Sequence, residues 1–135
     1  MTGPATAATP EAAKAAMGDA RNAMHKQSNA ISDQILALPA NGPNGTYTPD
    51  ETDKLNMLFA ARHEIQLAII AYSLADSMQL NDSASVKKLT TTITGTNAAL
   101  KKALQQVNDD VGAVQNLSGF LATLDAALKV VVALA

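Results

Sequence analysis

Between Glu64 and Ala75 the chain reads Glu-Ile-Gln-Leu-Ala-Ile-Ile-Ala-Tyr-Ser-Leu-Ala. On a helical wheel at about 100° per residue its apolar side chains cover most of the circumference. Ile65, Ala68, Tyr72 and Ala75 point one way, Leu67, Ala71, Leu74 and Met78 another, and Ile70 a third. A narrow strip through Arg62, Gln66, Ser73 and Ser77 is polar. A helix that is apolar nearly all round is buried against several neighbours or lies in a membrane. A span takes roughly 20 apolar residues, and Arg62-His63-Glu64 cuts this run short. The stretch therefore predicts the central, buried helix of a bundle.

A chain of 135 residues makes one domain and buries roughly two thirds of its surface. Only 3% of the residues are aromatic while 47% are hydrophobic, so the core has to come from Ala, Leu, Ile, Val and Met. Abundant alanine favours helices and lets them approach closely. A net charge of −2 and a pI near 5.5 give little electrostatic drive towards nucleic acid or anionic lipid. With no cysteine, disulfides, thiolate metal sites and cysteine nucleophiles are excluded. The first ten residues have neither a basic nor an apolar region of the kind a secretory signal needs. The expected location is cytoplasmic, or outside the cell by a route that reads no cleavable signal.

The pattern predicts an all-α antiparallel up-down bundle of four helices, over about 10–38, 49–80, 84–115 and 119–134, after a flexible tail at 1–8. Residues 9–135 then form a single helical-bundle domain. Thr9-Pro10-Glu11 and Thr48-Pro49-Asp50-Glu51 are helix starts, with threonine as cap, proline in the first turn and acid against the dipole. Glu51 also falls at the reciprocal capping-box position. Ala13, Met17, Ala20, Met24, Ile31, Ile35 and Leu38 form the first stripe, within which Gly18 suggests a close helix contact. The loop from Ala40 to Tyr47 holds two Asn-Gly turns and a proline. Val86, Leu89, Ile93, Leu100, Leu104, Val107, Val111 and Val114 keep helical phase through the threonine-rich run 90–96. That unbroken phase outweighs the poor helix propensity of threonine and glycine. Ser83 and Ser118 are the expected caps of the last two helices. The alternative is three helices, with one running from Ser83 to the end and overhanging its partners. The segment from Phe120 onward is apolar on more than one face, with Asp125 and Lys129 paired at i,i+4.

Chemistry-bearing residues are few. There is no Glu-x-x-His pair for a carboxylate metal centre, no nucleophile elbow, no phosphate-cradling glycine loop and no dinucleotide fingerprint. No cofactor, metal site, catalytic residue or small-molecule substrate is indicated. A hairpin folded about Gly42–Gly45 would bring Arg21 and His25 level with Glu64. The expected arrangement is a structural polar cluster of Arg21, His25 and Glu64, with Arg21 neutralising Glu64, because a buried carboxylate needs a partner. A site for acid–base chemistry or a weak metal around His63, Glu64 and His25 is the sharper and less favoured alternative. Lys87-Lys88 and Lys101-Lys102 share one face, either a solvated surface or a partner-docking stripe. With Phe120, Leu121, Val130 and Val131 they make the expected interaction surface.

These features suggest a non-enzymatic bundle acting through protein–protein contact, as an adaptor, a chaperone-like protein or a structural or secretion-associated component. A protein partner or self-association is expected, and no nucleic acid. A different expectation is a membrane-active or exported effector that inserts its apolar last helix.

Overall fold

A computed structural model describes residues 9–111 and 116–134, with backbone alone for 108–111. The predicted tail at 1–8, the side chains of Val111 and Val114 and the end of the third predicted helix lie outside the described residues. Four helices account for nearly all of the rest: α1 Pro10–Ala37, α2 Pro49–Ser77, α3 Ser83–Val111 and α4 Leu117–Val132. A single 3-10 turn, Pro43–Gly45, interrupts the first connection. The fold is an all-α bundle. The threonine run 90–96 is helical throughout, and Thr91 and Thr94 turn their hydroxyls back onto the carbonyls of Lys87 and Thr90.

Local chemistry sets each boundary. Thr9 accepts the Ala12 N–H at 3.0 Å and starts α1. At α2 the capping box is complete: Thr48 accepts the Glu51 N–H, and Glu51 Oε1 accepts the Thr48 N–H at 2.8 Å. The cap of α3 is Asp82, not Ser83. Its carbonyl accepts the Val86 N–H, and its carboxylate accepts from the Ala84 N–H and the Ser85 hydroxyl. A carboxylate at that place also faces the positive helix end. The last helix begins two residues before the expected Gly119, because Asn116 takes the left-handed conformation (φ 49°, ψ 53°) and its carbonyl accepts the Phe120 N–H. Asparagine tolerates that region. Gly119 makes room for it, since a Cβ there would lie 2.5 Å from Asn116 Nδ2. The turn at Asn116 is what separates α4 from α3, so the three-helix alternative does not hold.

The helices form a ring in which α1 packs on α2 and α4, and α3 packs on α2 and α4, while the diagonal pairs do not approach among the described residues. Cross-contacts run antiparallel around the ring: Arg21 with Asp76 and Ser32 with Arg62, then Tyr72 with Asn97, then Asn97 with Leu124. The first three helices are each about 43 Å long and α4 about 24 Å, at 1.5 Å per residue. The interior is mainly aliphatic and thioether, as the composition required, with Tyr72 and Phe120 as its aromatic members. Met17, Met24, Ile31, Ile65, Leu89, Ile93, Leu100 and Leu104 are all fully buried. Gly18 marks no close helix contact, for a Cβ there would meet only the Arg21 guanidinium, at 3.6 Å.

The first connection is locked by one carboxylate. Glu51, 8% exposed, accepts from the Thr48 N–H, the Asn41 N–H at 3.0 Å and the Asn41 side-chain amide at 2.7 Å. Gly42 is held close by the same loop, since a Cβ there would lie 2.6 Å from the Thr46 carbonyl oxygen. The backbone N–H of Thr48, then that of Asn41, hold the Glu51 carboxyl below its ordinary range, against the opposing effect of burial. A carboxyl whose ionised form is favoured by folding contributes stability above its unfolded value, near 4. That contribution fades as pH falls towards the lowered folded value. Glu51→Gln is accordingly expected to lower the thermal midpoint at neutral pH, with the gap to the parent closing below about pH 4. Melts followed by circular dichroism across that range check it, and a gap independent of pH would contradict it.

Candidate functional site

A buried polar chain in the core crosses three helices. Tyr72 of α2 is fully buried and donates its hydroxyl to Asn97 Oδ1 of α3. Asn97, 8% exposed, passes a hydrogen from Nδ2 to the Leu124 carbonyl of α4 at 3.3 Å. Burial, with a smaller push from the Asp125 charge, raises the Tyr72 phenol far above its usual value, and the hydrogen bond to Asn97 only partly offsets this. The phenol is thus a neutral donor, and the network is a structural pin. The sequence signal for it is plain in hindsight: Asn97 sits in phase on the apolar stripe, between Ile93 and Leu100, where an aliphatic residue is expected.

The expected cluster of Arg21, His25 and Glu64 does not form. Arg21 pairs with Asp76 at 2.5 Å, twelve residues beyond Glu64 and roughly 18 Å further along α2. The cause is the connection. Helix α1 ends at Ala37 and residues 38–41 run alongside the first turns of α2, tethered by Asn41 to Glu51, so the hairpin is offset instead of symmetric. His25 and His63 are exposed on different helices. Glu64 is half-buried and faces α3, where it lines a groove with Ala68, Thr92, Gly95 and Ala99. At that depth its carboxylate keeps its contact with water and does not call for Arg21. Among the described residues no three acidic or histidine side chains converge as metal ligands.

The expected interaction surface divides in two. Phe120 (4% exposed) and Val131 (0%) are core residues, and Leu121 and Val130 are half-buried against that core. Most large apolar residues of α4 are used inside the ring, whereas Val132 is 48% exposed. No described helix is long and apolar enough to cross a membrane. Lys87, Lys88, Lys101 and Lys102 are exposed, but the pairs straddle α3. Lys87 and Lys101 border α4, near Val132 and Asp125 respectively, whereas Lys88 and Lys102 fall on the outward side. Asp125 and Lys129 are not within ion-pair distance, since Arg21–Asp76 is the one such pair among the described residues.

The longest row of exposed apolar residues among the described residues is on α2, with Leu36 and Val132 exposed singly elsewhere. Leu67, Ile70 and Leu74 are 46%, 65% and 38% exposed, and Phe59 precedes them at 42% with the Arg62 guanidinium 5.0 Å over its ring. The spacing of Phe59, His63, Leu67, Ile70 and Leu74 places all five on one outward stripe. The opposite stripe, Leu58, Ala61, Ile65, Ala68, Tyr72 and Ala75, is buried. Helix α2 is therefore not wrapped by neighbours. In a ring of four it touches two, and its remaining apolar residues face water. Beside the stripe runs a groove of about 410 Å³, floored by Ala68, Gly95 and Ala99 and flanked by Glu64 and Leu67. A row of large aliphatic side chains next to a shallow groove of small ones is a surface that can seat a helix.

No protein-family model, no curated protein and no solved structure matches this chain. The surface stands on its own chemistry.

Proposed function

We propose that this protein is a non-enzymatic helical bundle that works by binding protein through the outward face of α2 and α3. The observation that carries the reading is the exposure of Leu67, Ile70 and Leu74 in one row, on a helix whose other stripe already anchors it in the core. Isolated exposed hydrophobics are ordinary, whereas contiguous ones mark contact sites. The face has almost no charge along its ridge and carries Glu64, Lys88 and Lys102 at its margins, the distribution of an interface centre and rim. The membrane-insertion alternative takes its motive from the apolar residues of α4, of which Phe120, Leu124 and Val131 are buried and Val132 is half exposed. The acid–base alternative needs a pocket into which at least two of His25, His63 and Glu64 converge.

A photo-crosslinking side chain placed at Ile70, in the cells that make the protein, tests the proposal. Adducts from Ile70 and none from Asn29, an exposed position on α1, are expected. No adduct at Ile70, or equal labelling from both positions, would overturn it.

A further inference from the structure

We infer that the partner for this face is a second copy of the same chain, in a two-fold dimer whose axis runs along the α2/α3 groove. The inference rests on the reading of the face as a binding surface and names its occupant. Three observations point to it.

The first is shape. Because α2 and α3 are antiparallel, each step forward on one is a step back on the other, and the groove that Leu67 lines with Gly95 and Ala99 sets the level. Ile70 and Leu74 follow Leu67 along α2 as Thr91 follows Gly95 back along α3. All of these positions are exposed. A two-fold axis parallel to the helices lays α2 of one copy across α3 of the other at the same height. The large ridge residues meet the small groove residues, twice over, as an isologous contact demands.

The second is charge. The same operation puts Glu64 of each copy level with Lys102 of the other, within one helical turn. The pair occurs twice, at the rim of the contact, where opposite charges fix register.

The third is Gly95. It lies in the interior of α3, is exposed, and has nothing within 4 Å of where a Cβ would sit. A helix-interior glycine destabilises a helix relative to alanine, and nothing in the single chain requires it. A backbone or side chain approaching from outside does. A face roughly 23 Å long, from Phe59 to Leu74, and two helices wide buries on the order of 1,000 Å² over both copies, the low end of specific interfaces. That size fits a reversible dimer.

Light scattering from low micromolar to near-millimolar concentration tests this. The parent is expected to pass from monomer to dimer. Glu64→Lys and Lys102→Glu should each weaken the dimer about tenfold or more, and the double reversal should restore it. Gly95→Leu should melt no lower than the parent, because leucine is the better helix former, and yet stay monomeric. A dimer indifferent to all four variants uses another face and overturns the inference. A parent that is monomeric throughout also overturns it, and the Ile70 crosslinks then separate the two claims. Adducts to a different protein leave the binding face standing, and none at all removes both.

Discussion

Asn97→Leu alone is expected to lower stability by about 1–3 kcal/mol, and the same change made together with Tyr72→Phe to recover most of that loss. The single change leaves the fully buried Tyr72 hydroxyl without an acceptor, and an unmade hydrogen bond in a dry core carries the full desolvation penalty of the group. Tyr72→Phe alone strands Asn97 Oδ1 in the same way. Removing both partners leaves an aliphatic and an aromatic side chain in contact and only the Leu124 carbonyl short of its extra hydrogen bond. Urea unfolding of the four proteins closes the cycle. If the two losses simply add, the network is not a coupled unit. The pH dependence has a defined sign. Folding holds the phenol protonated, so an unfolded chain that loses its proton near pH 10 is favoured as pH rises above that value. The decline in stability above about pH 10 should be shallower in Tyr72→Phe.

Leu124→Ala is expected to cost about 2–5 kcal/mol, the range for a fully buried leucine whose site relaxes only in part. Leu124 is 1% exposed, on the shortest helix, and α4 closes the ring by touching both α1 and α3. Loss of packing there loosens the wall that keeps Phe120, Ala127 and Val131 dry. Leu36→Ala is the matched control. Leu36 is 85% exposed, and surface changes away from special features stay within about 0.5 kcal/mol. Equal costs at the two positions, read from urea midpoints, would contradict the placement of α4.

Much of the fold is written in the periodicity. The stripes through Met17 and Met24, and through Leu89, Ile93, Leu100 and Leu104, predict the apolar part of the buried faces of α1 and α3, which the polar Gln27 and Asn97 complete, while Ile35 and Leu38 are only half-buried. The two Thr-Pro-acid starts predict their caps. What periodicity does not carry is how many neighbours a helix has. Glu64–Ala75 reads as buried on all sides because its side chains are apolar on all sides, but a ring of four offers each helix only two adjacent partners. The remaining face of α2 is outside for that reason, and α4, which looked adhesive, is the helix that turns most of its large apolar residues inward. The place of Arg21 was not legible either. It depends on the offset that Asn41 and Glu51 impose on the first connection, a long-range bond that no local pattern signals. Asn97 was legible as a break in phase on its stripe, though its partners on α2 and α4 were not.

The central claim is that the row of surplus apolar residues on α2 faces outward, while α4, Val132 apart, turns its large apolar residues inward. Because the chain has no cysteine, thiol labelling tests it directly with Ile70→Cys and Val131→Cys, in solution dilute enough to keep the chains apart. The thiol at position 70 is expected to react at nearly the rate of the unfolded chain, and that at position 131 to be protected until denaturant opens the bundle. Protection at position 70 in the isolated chain, or equally fast labelling at both positions, would contradict it.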